Sequence, residues 1–384
     1  MEQNNKPVIA HIISEFMQAG QSYTYRQFIN HIKYQVVVLS RFYFRGSRRF
    51  FPVEELHAMA HIGRVYVLFE KRFPKLTAWL FDCFVIFWVK RRNIKLLHVH
   101  FGTLGAKLAH LKDKLQITIL VSFYGADTTA YPSKPGWREM YKEMFAKADG
   151  FIALSETPKK QLIAIGAPAE KCFVVFGSVD TDKLAFVERM PSEEVKFLIV
   201  ARLVEKKGYF ILLDAFNELV KSGRKVKLVI VGFGFLKEKI LQKIEELGLI
   251  SFVEFNDSSQ PKDYFSFIVE KYQQADVFVL PSIVASDKDQ EGTPLTILEA
   301  SSTGLPIIGT NVAGVPEVVN DGETGYIVEQ RNVEALVEKM AYLADHPEVR
   351  QQFGKAGRLL MEAKFSLKSL PDRLDAVYSK FIRL

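Results

Sequence analysis

The sequence predicts an α/β fold built from two Rossmann-like domains, each with a doubly wound parallel sheet. Short runs rich in Val, Ile and Phe alternate with segments of helical spacing, a pattern typical of βαβ units. At 384 residues the chain is too long for one ordinary core and suits two. A composition of 48% hydrophobic and 25% charged residues is that of a folded globular protein rather than a disordered one.

The strand candidates are the short apolar runs themselves. In the first half of the chain they are PVIAHII, YQVVVLS, RVYVLF, LLHVHFG, TILVSFYG, GFIALS and CFVVFG. In the second half they are VKFLIVA, VKLVIVG, FVEFND, DVFVLPS, LPIIGT and TGYIV. The rhythm restarts once, after the polar stretch VERMPSEEV at 187–195, which we interpret as a domain linker.

This restart sets the predicted domain boundaries. Residues 1–188 form the first domain and residues 195–364 the second. Residues 365–384 form a terminal helix, in which apolar residues recur at helical spacing: Leu374, Val377, Tyr378 and Phe381. Ligands of open parallel sheets bind beyond the carboxyl ends of the strands. We therefore expect the functional residues directly after strands.

Cysteine content and charge limit the compartment and the partners. Cys83 and Cys172 are too few for a disulfide framework and lack metal-ligand spacing, which favours a reducing cytoplasm. The N-terminal residues show neither a basic region nor a long apolar stretch, so we expect no secretion signal. The net charge of +7 is compatible with an anionic partner but does not by itself select one.

Two segments bear on a membrane or nucleic-acid partner. The apolar run from Leu76 to Lys90 contains Asp82 and is shorter than the roughly 20 apolar residues that span a bilayer. It predicts a buried helix, with a helix lying on a membrane surface as the alternative. The run from Arg41 to Phe51 interleaves arginines with aromatics, which suits anionic headgroups, stacked bases or a solvated loop. Because it contains no recognised nucleic-acid module, we expect no nucleic-acid partner.

The stretch FLIVARLVEKKG places two cations in the turn after a strand. Arg202 can bind oxygens in a bidentate way, and Lys207 adds a compact charge. Gly208 allows close approach of the backbone. The turn therefore suits a diphosphate, although an exposed loop with surface charges is the simpler alternative.

The stretch KLVIVGFGFLKEKI gives a second strand followed by a glycine-rich turn into a helix. Gly232 and Gly234 suit either contact with a phosphate or nucleoside, or tight packing between strand and helix. The sequence leaves both readings open.

The stretch EGTPLTILEA predicts the start of a helix. Thr293 is expected at the N-cap and Pro294 at the first helical position, and the helix ends near Thr303, before Gly304. The free amides around Leu295 form an electropositive end that suits a phosphate.

Two carboxylates flank this helix start. Glu291 precedes the helix and Glu299 lies in its second turn, so both can accept hydrogen bonds from sugar hydroxyls on one side of a ligand. The alternative is one glutamate that stabilises the helix start and a second that faces solvent.

Together these motifs resemble a retaining glycosyltransferase of family 4 with the two-domain GT-B architecture. The resemblance covers residues 196–330 through ARLVEKKG, VIVGFG, ADVFVLPS, EGTPLTILE and STGLPIIGTNVAGVPEVVNDGETGYIV. It extends more loosely through SEFMQAGQSYTYRQFI, HVHFGTLGAKLA and SFYGADTTAYP, toward the exopolysaccharide or colanic-acid-type subgroup. It implies two sheets that face each other across a cleft and a terminal helix that crosses back to the first domain.

The resemblance implies roles for the second-domain residues around a bound donor. Arg202 and Lys207 would bind its diphosphate, together with the amides of Leu295 and Thr296. Glu299 would bind the ribose hydroxyls.

The transferred sugar has its own implied contacts. Glu291, Gly292 and Thr293 would hold the sugar, with Glu291 as a catalytic candidate. Gly232 and Gly234 would lie at the nucleotide.

The first domain departs from the family at one position. Tyr124 in SFYGAD stands where the family usually has a histidine, whereas Asp127 is retained, and we expect both in the catalytic region. Gly20 and His100 are expected on the acceptor side, with a structural or positioning role as the alternative for the histidine.

The implied activity is transfer of a sugar from a UDP- or GDP-linked donor to a glycan or polyprenyl-diphosphate-linked acceptor. The resemblance implies that cations and the helix end take the place of a metal ion, so we expect no cofactor and no metal. Asp287 and Asp289 come closest to a metal motif, but their position in the loop before Glu291 favours a role in that loop. The implied setting is the cytoplasm, with peripheral contact at the inner face of the membrane. A nucleotide-sugar epimerase of the same fold and a catalytically silent binding subunit are the alternatives.

Overall fold

The computed structural model describes residues 6–16, 22–29, 31–43, 52–60, 63–259 and 263–382. The chain divides into two compact units. The first comprises residues 1–176 and 368–384, and the second comprises residues 177–367.

The first unit contains a parallel seven-stranded sheet with the order β3-β2-β1-β4-β5-β6-β7. Its strands are β1 (Val8–Phe16), β2 (Gln35–Tyr43), β3 (Leu56–Ala60), β4 (Leu96–His100), β5 (Thr118–Ser122), β6 (Gly150–Ala153) and β7 (Cys172–Val174). Its helices are α1 (Ser22–Arg26), α2 (Gly63–Arg72), α3 (Pro74–Arg91), α4 (Gly102–Leu108), α5 (Leu111–Leu115), α6 (Trp137–Lys147), α7 (Glu156–Ala164) and the terminal α14 (Leu370–Tyr378).

The second unit contains a parallel six-stranded sheet with the order β10-β9-β8-β11-β12-β13. Its strands are β8 (Val195–Val200), β9 (Val226–Gly232), β10 (Val253–Asp257), β11 (Val277–Leu280), β12 (Ile307–Thr310) and β13 (Gly325–Val328). Its helices are α8 (Tyr209–Lys221), α9 (Lys237–Glu246), α10 (Tyr264–Gln274), α11 (Leu295–Ser302), α12 (Val333–Asp345) and α13 (Pro347–Lys364).

The central strands explain why the sequence pattern predicted this fold class. All residues of β4, β6, β11 and β12 are buried. A parallel strand covered on both faces reads as a continuous apolar run rather than an alternating one. The expectation of two Rossmann-like parallel sheets is confirmed.

One strand prediction was wrong. The run RVYVLF lies inside the helix Gly63–Arg72, and the strand at this point is Leu56–Ala60, the edge of the sheet. A six-residue apolar run cannot be assigned to strand or helix by its period alone. Here the run continues into Glu70, which pairs with Arg41 at 2.6 Å and holds the helix against β2.

The apolar run after Leu76 forms a helix as predicted, but the helix is not buried all round. In α3, Thr77, Phe81, Val85 and Val89 are buried, whereas most of the remaining positions are exposed or half-buried. Among the described helices, none combines the length and the apolar content that a membrane span requires.

The polar stretch at 187–195 belongs to the second unit, so the boundary between the units lies earlier in the chain than the predicted linker. Arg189 holds this stretch in place. Its guanidinium donates to the carbonyl oxygens of Ala275, Tyr272 and Thr303 at 2.6, 2.8 and 2.8 Å. Burial lowers the pKa of Arg189 to about 10, so the side chain remains charged near neutral pH.

The terminal helix α14 packs within the first unit through polar contacts. Asp375 accepts a hydrogen bond from His31 at 2.8 Å, and Tyr378 Oη lies 2.6 Å from His98 Nδ1. Both Asp375 and Tyr378 are buried. These contacts join the last helix to β4 and to the segment after α1.

Replacing Arg189 with Met keeps an unbranched apolar stem and removes the guanidinium that donates to these carbonyls. We expect Arg189→Met to lower the free energy of unfolding of the second unit by about 2–4 kcal/mol, since buried acceptors lose their partners. Denaturant unfolding followed by far-UV circular dichroism measures the loss. Arg224→Met, which breaks a partly exposed pair with Asp345, is the control and should cost at most about 1 kcal/mol. Equal losses in the two variants would contradict the anchoring role.

Candidate functional site

A buried ion pair lies beyond the carboxyl ends of two neighbouring strands of the second unit. Lys207 follows β8, Glu291 follows β11, and Lys207 Nζ lies 2.6 Å from Glu291 Oε1. The two side chains are 10% and 6% exposed. Ser282 Oγ donates a second hydrogen bond to the same carboxylate oxygen at 2.9 Å. The carboxylate is therefore fixed in place without a ligand.

The charges at this pair follow from burial and from the surrounding cations. Burial alone would raise the pKa of Glu291, but the charges of Lys207 and Lys206 and the hydrogen bonds lower it to about 2. Burial is also the largest influence on Lys207, whose pKa is lowered although Glu291 opposes the shift. The positive charge of Arg202, which is exposed, acts on Lys207 in the same direction. The site thus combines an ionised carboxylate with a buried ammonium, and the exposed Arg202 adds a positive charge beside them.

Gly208 allows the chain to turn directly after Lys207. Its φ is +68°, and a Cβ atom here would lie 1.9 Å from the carbonyl oxygen of Pro281. The backbone of the Lys207 turn therefore touches the loop after β11. This close approach is the local reason that the predicted cation and the predicted carboxylate meet.

The sequence reasoning missed Lys206, which is buried and supports the loop that carries Glu291. Lys206 Nζ donates to Asp289 Oδ1 at 2.9 Å and to the carbonyl oxygen of Gln290 at 3.0 Å. Asp287 accepts a hydrogen bond from the amide of Asp289 at 2.9 Å. Both carboxylates thus have partners: that of Asp287 within the loop and that of Asp289 in Lys206. The KK pair at the end of VEKK is the signal that could have identified Lys206.

The helix start is displaced by one residue from its prediction. The helix begins at Leu295, and Pro294 is the N-cap residue with ψ 105° rather than the first helical residue. The extended ψ excludes Pro294 from the helix, so the placement of Thr293 at the N-cap was wrong. The end of the helix, with Thr303 as C-cap and Gly304 at φ +84°, is as predicted.

The first turn of α11 carries the residues expected at the diphosphate. Thr296 Oγ1 is buried and has no hydrogen-bond partner in the described part of the chain. The carbonyl of Gly292 accepts from the amide of Gly314 at 3.2 Å, which ties the helix start to the loop after β12. An N-terminal helix end is electropositive, so it adds to the field of the cations described above.

Glu299 lies on α11 beside two tyrosines of α10. Tyr272 Oη donates to Glu299 Oε2 at 3.1 Å. Burial and the charge of Glu299 raise the pKa of Tyr264 to about 12. Glu299 is half-buried, whereas Glu291 is buried, so the two carboxylates occupy different environments. The predicted contact of Glu299 with the ribose hydroxyls stays a prediction.

Gly232, the last residue of β9, and Gly234, which follows it, pack against the segment that carries Arg202. A Cβ on Gly232 would lie 2.2 Å from the carbonyl oxygen of Ala201, and one on Gly234 would lie 2.7 Å from that of Leu203. Tight backbone packing therefore accounts for both glycines. Their predicted contact with a nucleotide stays a prediction.

The first unit contains a buried chain of hydrogen-bonded rings that ends at Tyr124. His100 Nδ1 lies 2.5 Å from Tyr124 Oη, and His100 Nε2 lies 2.9 Å from His11 Nδ1. His98, the register partner of His11, contacts Tyr378 and Ser122 at 2.6 Å each. His100 is fully buried, so its contact with a ligand would run through the half-buried Tyr124.

These histidines are uncharged near neutral pH. Burial is the largest influence, and it lowers the pKa of His11 and His98 well below 6.5 and that of His100 to about 3. Neutral imidazole is also the form that binds metals, and the three rings offer nitrogen atoms within 4.8 Å of one another. Among the residues that the structure describes, five of their six ring nitrogens have hydrogen-bond partners, and His11 Nε2 has none. The arrangement therefore fits a hydrogen-bonded network better than an open metal site.

Asp127 is buried and fixes the loop that carries Tyr124. Its Oδ1 accepts from the amides of Tyr124 and Gly125 at 2.8 Å each, and its Oδ2 accepts from the amide of Gly102 at 3.0 Å. Burial raises the pKa of Asp127, and these amides oppose the shift. Asp127 thus acts on Tyr124 through the backbone. Gly20, expected on the acceptor side, lies outside the described residues.

Two family models match the chain. The model for glycosyl transferases group 1 matches residues 180–360, and the model for glycosyltransferase family 4 matches residues 29–183. The first match includes the Lys207 and Glu291 pair, and the second includes the His100 and Tyr124 contact.

Individual relatives agree with the models. The amylovoran biosynthesis glycosyltransferase AmsK of Erwinia amylovora is 31% identical over 62% of this chain and 58% of its own length. The capsular polysaccharide biosynthesis glycosyltransferase CapM of Staphylococcus aureus is 29% identical over 62% of this chain and 63% of its own. The chain thus matches less than two thirds of the length of either relative.

The fold also matches solved structures. The crystal structure of Anabaena Alr3699/HepE in complex with UDP and glucose superposes with a TM-score of 0.77. The match covers 97% of this chain and 100% of that one at 15% identity, so it bears on the fold alone. It supports the GT-B architecture expected from the sequence.

The ion pair can be tested with a double-mutant cycle. Lys207→Met leaves a buried carboxylate without its cation, and we expect a loss of about 3–5 kcal/mol in the free energy of unfolding. The double variant Lys207→Met/Glu291→Leu removes both charges and should recover most of that loss. The second unit contains no tryptophan, so its transition is followed by circular dichroism. The exposed pair Lys225 and Glu193 is the control and should show coupling of at most about 1 kcal/mol.

A cycle in which the two buried substitutions simply add would contradict the proposed coupling. Substitutions at Lys225 and Glu193 provide the additive reference on the same unit.

The neutral histidines predict that the first unit loses stability in mild acid. Below pH 6.5 the unfolded chain binds protons at His11, His98 and His100, whereas the folded chain does not. Stability should therefore be complete above pH 6.5 and fall below it, by up to about 1.4 kcal/mol per pH unit for each histidine. Fluorescence reports this unit selectively, because all tryptophans of the chain, Trp79, Trp88 and Trp137, lie in it.

A matched pair of variants tests the assignment of this pH dependence. His11→Asn should reduce the slope of the free energy of unfolding against pH by the equivalent of about one proton. His346→Gln, in the second unit, should leave this slope unchanged. A free energy of unfolding that stays constant between pH 7.5 and pH 5.5 would show that these rings are not held neutral.

Proposed function

Because the chain belongs to the glycosyltransferases that the group 1 and family 4 models describe, we propose that it transfers a sugar from a nucleoside-diphosphate sugar. The acceptor in this proposal is a glycan or a polyprenyl-diphosphate-linked glycan, and the product serves a cell-surface polysaccharide. The relatives named for amylovoran and capsular polysaccharide biosynthesis support the polysaccharide class. The solved relative that holds UDP and glucose supports a UDP-linked donor, with a GDP-linked donor as the alternative.

One observation supports this proposal above the others. The buried Lys207 and Glu291 pair combines a fixed cation with a fixed hydrogen-bond acceptor beside the positive end of α11. A bound diphosphate needs a cation, and a sugar hydroxyl needs a hydrogen-bond acceptor. Arg202 is exposed and near enough to shift the pKa of Lys207, so it can move onto a phosphate.

The proposed chemistry relies on charge that is already in place. As the bond from the sugar to the diphosphate breaks, negative charge grows on the leaving oxygen. Fixed cations and helix amides stabilise this charge more than they stabilise the bound donor, which lowers the barrier. Removing one such group typically costs about 3 kcal/mol of transition-state stabilisation.

We further propose a retaining, metal-independent reaction. The acceptor hydroxyl would attack the same face of the sugar that the diphosphate leaves, and the leaving phosphate would take the acceptor proton. Glu291 would hold the sugar in position, and Lys207 and Arg202 would supply the charge that a metal ion supplies elsewhere. Asp287 accepts from a backbone amide of its loop and Asp289 pairs with Lys206, which fits this division of roles.

The proposed setting is the inner face of the cell membrane, where a lipid-linked acceptor is within reach. Tyr124 stands at a position where the family usually has a histidine, and its hydroxyl meets His100. In the proposed reaction Tyr124 contacts a sugar hydroxyl, and His11, His100 and Asp127 act as positioning residues.

Donor binding gives the direct test. UDP- and GDP-linked sugars are titrated into the full chain by calorimetry with EDTA present, because the proposed site needs no metal. Glu299→Ala and Lys207→Ala should each weaken the binding of the preferred donor at least about ten-fold, through lost hydrogen bonds to charged groups. Glu338→Ala and Lys225→Ala remove exposed charges of the same types and should leave affinity unchanged.

Unchanged donor affinity in Glu299→Ala and Lys207→Ala would refute the proposed site. Intact donor binding without transfer to any glycan acceptor in a single turnover would instead favour a silent binding subunit. Conversion of the donor to its epimer would favour an epimerase.

A further inference from the structure

Helix α3 is apolar on two opposite faces, and the first unit buries only one of them. Thr77, Phe81, Val85 and Val89 repeat every four residues and face the core. At 3.6 residues per turn, the positions half a turn away form the opposite face. That face carries Leu76, Trp79, Leu80, Cys83 and Phe87, all exposed.

The exposed side chains on this face are large. Trp79 is 59% exposed, Phe87 54%, Leu76 44% and Leu80 37%. The solvent-exposed face of a helix in a globular protein is usually polar, and a helix that is apolar on all sides is usually buried. The second apolar face of α3 therefore has the composition of a surface that binds a partner.

The apolar surface continues onto the end of α2. Leu68 is 68% exposed and Phe69 is 39% exposed, and the Phe69 ring lies 5.2 Å from that of Phe73, which is 44% exposed. We call these residues, together with the exposed face of α3, the α2–α3 outer face.

Cations flank the outer face at both ends. Lys71, Arg72 and Lys75 lie at the junction of the two helices, and Lys90 and Arg91 lie in the last turn of α3, all exposed. The chain thus places positive charge on either side of an apolar strip.

The carboxylates of the two helices are paired with groups of the protein. Glu70 pairs with Arg41 at 2.6 Å, and Asp82 pairs with His110 at 2.7 Å. Their charges are compensated within the first unit. The uncompensated charge at the outer face is therefore positive.

We propose that the α2–α3 outer face docks on an anionic lipid bilayer and lies in its interface without crossing it. Interfacial helices combine a Trp-, Phe- and Leu-rich face with flanking Lys and Arg, which is the composition of this surface. Lys and Arg next to the apolar strip meet the anionic headgroups while Trp79 and Phe87 enter the acyl boundary.

Charge favours a bilayer over a second copy of the chain as the occupant. A two-fold interface places the same patch of both copies against each other. Here that would bring the cations of one copy onto those of the other, with no carboxylate of either helix available to compensate them. An anionic bilayer compensates the same charges.

This proposal deepens the proposed function, because a lipid-linked acceptor resides at a membrane surface. It rests on the proposed function only for this connection between docking and the acceptor. The docking itself is independent of catalysis. A failure of docking leaves the donor site standing, and a failure of donor binding leaves the docking face standing.

Vesicle sedimentation of the full chain tests the proposal. The probes are vesicles of phosphatidylcholine alone and of phosphatidylcholine mixed equally with phosphatidylglycerol. We expect binding to the anionic vesicles that weakens with added salt, because headgroup attraction is screened. The double variant Trp79→Ser/Phe87→Ser should lower the partition coefficient at least about ten-fold, through the apolar area that no longer enters the interface.

A charge variant separates the two contributions. Lys71→Gln/Arg72→Gln/Lys75→Gln should lose most binding to the anionic vesicles and the salt dependence with it. The matched controls lie in the second unit: Phe235→Ser/Ile250→Ser for exposed apolar residues, and Lys221→Gln/Lys225→Gln for exposed cations. Both controls should bind as the parent does.

Two outcomes would overturn the proposal. The first is anionic-vesicle binding that Trp79→Ser/Phe87→Ser leaves unchanged. The second is an absence of vesicle binding with concentration-dependent self-association that the same variant abolishes, which would make a second copy the occupant. All variants alter exposed positions, and far-UV circular dichroism with thermal unfolding reports that each remains folded.

Discussion

The second unit depends on one buried ion pair between loops that are remote in sequence. Desolvation opposes burying Lys207 and Glu291, and the pair persists because the two charges meet at 2.6 Å and Ser282 binds the same carboxylate. The approach of the two loops requires Gly208, whose missing side chain leaves room for the backbone of Pro281. The cation and the acceptor are thus positioned by folding, before any ligand arrives. Such preorganisation is the main way in which a protein stabilises developing charge.

The first unit also buries polar side chains in its interior, but these side chains are uncharged. His11, His98 and His100 are buried as neutral rings in two hydrogen-bonded groups: His11 with His100 and Tyr124, and His98 with Ser122 and Tyr378. The His98 ring packs against the rings of His11 and His100, with centroids 4.8 and 4.4 Å apart, so the group that ends at the half-buried Tyr124 and the group that ends at α14 lie side by side. An ionic cluster in this position would need a counter-ion, whereas the neutral cluster needs only directed hydrogen bonds. Tyr124 is therefore held by a buried partner, His100, that meets its hydroxyl.

The sequence predicted the parallel strands because both faces of each central strand are covered, so that β6, β11 and β12 read as largely apolar runs and β4 departs from this pattern only at His98 and His100. It failed at RVYVLF, where a six-residue run has no period that separates strand from helix. It identified Lys207 and Glu291 separately but not their contact, since pairing across two loops is a property of the tertiary fold. The same limit hid Arg189, whose acceptors are backbone carbonyls, and the contacts of Asp375 and Tyr378 with histidines far away in the chain. The second apolar face of α3 was visible in composition, but only the burial pattern shows which residues face outward.

The most direct test of this account is a crystal structure of the chain with an intact nucleoside-diphosphate sugar bound. The account predicts that the diphosphate oxygens lie within hydrogen-bond distance of Arg202 and Lys207 and of the first amides of α11, with Glu291 still in contact with Lys207. A diphosphate bound away from these groups, in a second unit whose ion pair is unchanged, would contradict the claim that the prebuilt positive field serves the donor.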